Sequence, residues 1–370
     1  MTSLPCLDRG KSYTFAHQLC FLLTGVGTTL AVQWIFYKGA ATADSNLTQL
    51  AQYVGTVLVG AFIPLILSSK KKSASYTSVA TNESTEDLTA DRISMEDLGK
   101  GDAEQPVQQK EVSDGPVQHK SVFRLSVLDV LANFCVTMGF FAIGSGMYQV
   151  IYSSIVIWCA ILTYFFMGRT MTKLQWVAIF GSSAGLALSS FGNFGLEEDD
   201  GDKKHAAVLM LGTILTICGT FFYACLYVYS DHILSRQVPP PLPARVCFMS
   251  GLYSTALSLI WVAVYTLPRF DQLIHVHDEV SNAEVLSMYA FVTVSNALHS
   301  WNYYELIERT GNVATGILQG LRAILVYILS HAWFCTTDSA QCFTVYKGFG
   351  SILVISCVLL FVVGGQPAKK

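Results

Sequence analysis

Residues 311–334 read GNVATGILQGLRAILVYILSHAWF, an apolar run interrupted by one formal charge, Arg322. A helix needs about 20 such residues to cross the hydrocarbon core of a bilayer, and this run is long enough. Arg322 lies about twelve residues in, or about 18 Å deep at 1.5 Å per residue, close to the midplane. A charge there costs on the order of 2.5–3.5 kcal/mol on insertion scales, so its side chain must face protein or a wet cavity rather than lipid. The run therefore reads as one wall of a helical bundle.

Nine further runs of similar character precede and follow it, near 13–36, 48–68, 125–143, 146–167, 174–192, 206–230, 243–267, 285–306 and 344–364. The chain of 370 residues is 52% hydrophobic and only 13% charged, which is more apolar surface than one soluble core can bury. The expected fold is an all-α polytopic membrane protein with ten transmembrane helices. The run 125–143 is the weakest, because Arg124, Asp129 and Asn133 punctuate it. Residues 1–69 hold the first two spans, 70–120 a polar insert, 121–192 spans three to five, 206–364 the second five, and 365–370 a tail. The insert is rich in Ser, Thr, Glu, Asp, Gln and Lys and nearly free of aromatics, so it is expected to be disordered. Its Tyr76-Thr77-Ser78-Val79 fits a tyrosine-based sorting signal, although matches this short arise easily by chance. Residues 1–11 are polar and the run after them is long enough to remain as a helix, so no cleavable signal peptide is expected.

Basic residues set orientation, since loops rich in Lys and Arg stay cytosolic. With a cytosolic N-terminus, Arg9, Lys11, Lys70, Lys71, Lys72, Lys120, Arg124, Arg169, Lys173, Arg236, Arg245, Arg309, Lys369 and Lys370 fall on the cytosolic side. The far side keeps Lys38, Lys203, Lys204, Arg269 and Lys347. Both termini are then cytosolic, as an even number of spans requires. The net charge of -3 and the scatter of the basic residues exclude a nucleic-acid partner. Of two glycosylation sequons, Asn46-Leu47-Thr48 and Asn82-Glu83-Ser84, only Asn46 lies on the far side, close to the start of the second span. Seven of the ten cysteines (Cys20, Cys135, Cys159, Cys218, Cys225, Cys247, Cys357) fall inside apolar runs and read as small hydrophobes. Cys335 and Cys342 flank a polar loop closely enough to bridge, with two free thiols as the alternative.

The spans divide into two sets of five. Gly144-Ser145-Gly146 tightly join the third and fourth spans and Thr310-Gly311 the eighth and ninth, each followed by one more span. Five is odd, so the second set must enter the membrane upside down, as in the inverted repeats of secondary transporters. Gly181-Ser182-Ser183-Ala184-Gly185 puts small residues four apart on one face, with Gly348 and Gly350 similar in the last span. That face suits packing within the bundle, or a homodimer contact.

The Gly/Thr-rich first span, Thr24-Gly25-Val26-Gly27-Thr28-Thr29 through Gln33-Trp34, and the fourth-span segment Tyr148-Gln149-Val150-Ile151-Tyr152-Ser153-Ser154 resemble the drug/metabolite transporter superfamily. Phe166-Met167-Gly168-Arg169 with Leu174-Gln175-Trp176, and Gln319-Gly320-Leu321-Arg322, agree with that pattern. Within the superfamily the chain is similar to solute carrier family 35, nearest its F subgroup, over most of its length outside the insert. The resemblance implies a ten-helix inverted-repeat fold, a central cavity, alternating access, no cofactor, a location in endomembranes such as Golgi or endolysosomes rather than the plasma membrane, and nucleotide sugars as the substrate class of the wider family. Tyr152 stands where related fourth spans often carry a basic residue, which argues against an anionic nucleotide.

Several residues suit a small-molecule site. Arg322 offers a cation for a phosphate or carboxylate; its structural alternative is an internal ion pair with Asp129 or Glu305. His299 and Asn302, three apart on the eighth span, share a face and suit hydrogen bonding to a base or sugar. Tyr303 and Tyr304 beside them fit stacking or the membrane interface. Gln33, Gln149, Tyr152 and Gln319 add amides and a phenol, or act as glue between helices. Glu305, Glu308 and Arg309 crowd the cytosolic eighth-to-ninth turn as a candidate gate, or as solvated interfacial charges. His275-Val276-His277-Asp278 is too sparse for a metal site. No GxxxxGK[ST] loop marks a primary pump, and no nucleophile and base or ligand cluster marks an enzyme. The reading is a secondary transporter of a small metabolite, a nucleotide sugar or other organic anion, embedded in a lipid bilayer. The alternative is a non-transporting membrane receptor or scaffold.

Overall fold

The computed structural model describes residues 9–68, 115–152, 154–190, 203–337 and 341–364. The bulk of the 70–120 insert, with Tyr76–Val79 and Asn82, lies outside them, as do the acidic stretch before α6 and both termini. The described chain is helical throughout. We number the helices α1 Arg9–Tyr37, α2 Leu47–Ser68, α3 His119–Tyr152, α4 Ile155–Met167, α5 Lys173–Ser190, α6 Lys203–Arg236, α7 Pro243–Leu273, α8 Asn282–Thr310, α9 Asn312–Phe334 and α10 Val345–Gly364. Among the described residues, seven stretches are long and apolar enough to cross a membrane: 12–37, 47–68, 119–140, 210–236, 243–273, 312–334 and 345–364. The protein is a polytopic, membrane-embedded helical bundle. Its outer faces carry bare apolar side chains such as Phe165, Phe166, Val264, Leu286 and Val363, the pattern expected where lipid is the solvent.

Loops gather at two ends. At one, the Gly115 amide donates to Pro240 (3.0 Å), Arg236 donates to the Met167 carbonyl (2.6 Å), and Thr172 donates to the carbonyl of Gly364 (3.2 Å). At the other, the His275 amide donates to Gly39 (3.0 Å) and the His277 amide to Lys38 (3.2 Å), while Trp261 and Tyr265 hold Asp44. Residues 115–118 therefore pack on the α6–α7 turn, which corrects the expectation that the loose insert extends to Lys120.

The helical assignment of α3 runs unbroken through Gly144-Ser145-Gly146, where the sequence predicts a turn between two spans. The path from Asn133 to Tyr152 is nevertheless not that of one straight helix. Asn133 accepts a hydrogen bond from the Tyr223 hydroxyl (2.5 Å), and the ring of Tyr152 lies 6.1 Å from the ring of the same Tyr223. On a straight helix, Asn133 and Tyr152 would be about 28 Å apart, too far for one tyrosine to touch both. Moreover, α3 begins and α4 finishes at the same end of the bundle. A second break follows at Ser154, whose hydroxyl donates back to the Ile151 carbonyl (2.7 Å), and the final turn of α4 widens to π geometry over Thr163–Met167.

Several helix contacts correspond at an offset of five helices. α1 lies against α8 and α9, while α6 lies against α3 and α4; α2 packs on α8 as α7 packs on α3. α2 with α7, and α5 with α10, pack on each other. Where the Gly181–Gly185 face was read as a packing or dimer surface, the chain uses it internally: a Cβ on Gly181 would meet Cys357 Sγ at 2.5 Å, and one on Gly185 would meet Val354 and Gly350 of α10.

Among the helix–helix crossings described, close approach is tightest where α2 crosses α8, since a Cβ on Gly55 would stand 2.2 Å from the Thr293 carbonyl oxygen. Backbone cannot yield as a flexible side chain can, so Gly55→Ala is expected to destabilise the bundle by about 1–3 kcal/mol. Gly348→Ala, whose nearest neighbour would be 3.6 Å away, is the control. Melting in detergent should fall for the first and hold for the second; equal melting would refute the contact.

Candidate functional site

A cavity of about 360 Å³ lies in the middle of this apolar bundle, within the size range of small-molecule sites. α1, α2, α3, α6, α7, α8 and α9 all contribute to its wall. α8 is its most polar member: it is not among the seven strongly apolar stretches, and it turns Asn296, His299, Ser300, Tyr303 and Tyr304 into the cavity. Polar groups at this depth persist only when other helices satisfy them.

Two charged groups stand in separate polar settings. Arg322, on α9, donates from Nη2 to Thr29 Oγ1 (2.5 Å) and from Nη1 to Gln319 Oε1 (3.2 Å), while Gln319 Nε2 donates to the Tyr227 hydroxyl (2.7 Å). The expected ion pair with Asp129 or Glu305 is not made; among the described residues no carboxylate lies within 4.0 Å of the guanidinium. Asp129, on α3, accepts from Asn133 Nδ2 (2.9 Å) and, at the limit of hydrogen bonding, from Ser254 (3.5 Å). Asn133 is the hub of that side, donating also to Tyr53 (2.9 Å) and accepting from Gln49 (2.6 Å).

The Gly/Thr-rich first span makes room for the arginine. A Cβ on Gly25 would come within 2.7 Å of His299 Cε1 and 3.0 Å of Arg322 Cδ. His299 stacks on Phe21 (centroids 4.3 Å apart), and its Nδ1 lies 3.0 Å from the Phe21 carbonyl. A carbonyl only accepts, so Nδ1 carries the proton.

The residues singled out in the sequence separate into groups. Arg322, His299, Tyr152 and Gln319 line the cavity together, with Tyr303 and Tyr304. Asn302 does not: its amide points at α1, bonded to His17 and Cys20. Gln33 is likewise outside, held by Tyr37 (3.3 Å) and Ser330 (3.1 Å). Of Gln149 only the backbone, in α3, is described. Asn46, the glycosylation candidate, donates through the nitrogen that would carry a sugar to Ser258 (2.8 Å). Cys335 and Cys342 are disulfide-bonded.

The candidate gate is built differently from expectation. Glu305 pairs with Arg309 one turn along α8 (3.5 Å), and Arg309 lies over the Tyr13 ring (4.4 Å); Glu308, beside them, is half-buried. The α8–α9 turn itself falls at Thr310-Gly311 as the sequence indicates, with Gly311 at φ +81°, but it is held by Asp231 and Asn312, which sequence reasoning missed: the amide and side chain of Asn312 both donate to Asp231 Oδ2 (3.1 and 3.0 Å). Arg169 pairs with the same oxygen at 2.8 Å. The carboxylate thus caps α9 from α6, where the helix N-terminus favours a negative charge. The available signal was an aspartate near the end of an apolar span.

No family model and no curated protein matches the chain. Among solved structures, one described only as "Crystal structure of protein" superposes with a TM-score of 0.58 over 95% of this chain and 97% of that one, at 13% identity. The fold is therefore shared with a known structure.

Asp231→Ala leaves two buried donors without an acceptor and is expected to cost about 2–4 kcal/mol. Arg169→Ala, whose side chain is 42% exposed, should cost less than about 1 kcal/mol. Thermal melting of the two variants checks the order; a larger loss for Arg169→Ala would reverse the account of the turn.

Proposed function

We propose that this protein is a secondary transporter of a small organic metabolite, working by alternating access. The observation that carries this reading is the polar, charged cavity at mid-depth in an otherwise apolar bundle. A scaffold gains nothing from burying Arg322 and Asp129 with no counter-ion among the described residues, and such groups in membrane helices mark solute or ion paths. The mirrored packing of α1 to α5 and α6 to α10, with the departure of α3 from a straight path, supports ten passes in two inverted five-helix repeats. Alternating access is then rocking of one repeat against the other around the central site.

The end that holds Arg169, Arg236 and Arg309 is the cytosolic one by the distribution of basic residues, which puts both termini in the cytosol. There the Asp231–Asn312–Arg169 cluster and the Glu305–Arg309 pair form the cytosolic gate. Arg322 receives the anionic group of the solute, His299 and Gln319 add hydrogen bonds, and the tyrosines stack on its flat parts. The likeness to solute carrier family 35 favours an endomembrane location and organic anions, nucleotide sugars among them, as the substrate class.

Flux in proteoliposomes tests the reading. Counterflow of a labelled solute that stabilises the purified protein should be at least ten-fold slower for Arg322→Ala, with the melting profile retained, since one charge–charge contact is worth about 1.4 kcal/mol or more. Binding without flux in the wild type would replace the transporter with a receptor.

A further inference from the structure

The cavity carries a second, opposite charge. Asp129 faces the same space as Arg322, and both are half-buried rather than sealed. They share no hydrogen-bond partner: Asp129 is served by Asn133 and Ser254, Arg322 by Thr29 and Gln319. Among the described residues neither has an opposite charge within 4.0 Å. All of these partners are neutral. Among the described residues a guanidinium and a carboxyl group, each charged here only at a desolvation cost, have no counter-ion beside them, and the simplest molecule that supplies both counter-ions is one that carries both charges.

We propose that the solute is dipolar, with a cationic group at Asp129 and an anionic group at Arg322. This rests on the transporter reading and narrows its substrate class from organic anions to zwitterions. Tyr152, Tyr223 and Tyr227 lie between the two polar settings: Tyr223 bonds the Asn133 side, Tyr227 the Gln319 side, and Tyr152 packs edge-on to Tyr223. Their rings suit a flat or aromatic spacer between the charges, and an amine approaching Asp129 also meets the π-faces nearby. The neutral Tyr152 fits this assignment, because a second cation there would repel the ammonium end.

The test compares four probes that share a benzene ring: L-phenylalanine and 4-(aminomethyl)benzoate, which carry both charges at different spacings, benzylamine, cationic only, and benzoate, anionic only. Each is added at about 10 mM to the full chain in detergent and melting is followed. At least one zwitterion should raise the melting temperature by roughly 2–4 °C while each single-charge probe shifts it less. Asp129→Asn should reduce that shift to the benzoate value, and Arg322→Gln to the benzylamine value. The wild-type comparison stands even if a variant fails to fold. No shift from either zwitterion, or a benzoate shift as large as theirs, overturns the inference and leaves the transporter reading intact. Stabilisation by a zwitterion that proteoliposomes do not exchange upholds the inference and removes the transporter reading.

Discussion

A charged or amide side chain at mid-depth in a bilayer has nowhere to go but inward. That constraint organises this molecule. Arg322, Asp129, Asn133, Asn296 and His299 sit on three helices, α9, α3 and α8, and their common need for polar partners draws those helices around one cavity. Asn296 illustrates the mechanism: its amide donates to the Gln52 carbonyl across the helix boundary (2.7 Å) and so fixes α8 against α2. Thr28 does the same between α1 and α8, donating to Ser295 (3.1 Å). Lipid tails offer no hydrophobic gain for helix association, so these bonds and the close approaches at glycine supply the specificity of packing.

The two ends of the bundle are tied by unlike means. One end relies on aromatic and backbone contacts: Tyr265 and Trp261 clasp Asp44, and Thr266 donates to the Ser45 carbonyl (2.7 Å). The other concentrates charge, with Asp231 holding Arg169 and the first turn of α9.

Much of the membrane architecture was legible in the sequence because hydropathy reports length and burial directly. α10, α9 and α2 fall within a residue or so of their apolar runs. Arg322, His299, Tyr152 and Gln319 were legible for the same reason, as polar groups where lipid forbids them. The remainder needed three dimensions. Asn302 and His299 share a face by spacing, yet a 60° rotation around α8 suffices to turn one toward α1 and the other toward the cavity. Asp129 read as a break in a weak span and as a candidate ion-pair partner of Arg322, whereas in the structure it lines the same cavity as the arginine and is bonded to Asn133. Asp231 and Arg169 stand 62 residues apart, and no local pattern announces a carboxylate that caps a helix from a neighbour. The glycines of Gly144-Ser145-Gly146 point to a turn, whereas the helical assignment of α3 continues through them.

The central claim is that the cavity is wet and open to solute. Ser300 lines it, whereas Leu298, two residues away on α8, is an exposed apolar side chain outside it. In a background without Cys6 and the seven free cysteines of the described residues, Ser300→Cys and Leu298→Cys can be challenged with a membrane-impermeant thiol reagent in proteoliposomes. The account predicts fast labelling at Ser300→Cys, slowed by a bound solute, and little labelling at Leu298→Cys. Labelling at neither position, or at Leu298→Cys alone, would contradict it.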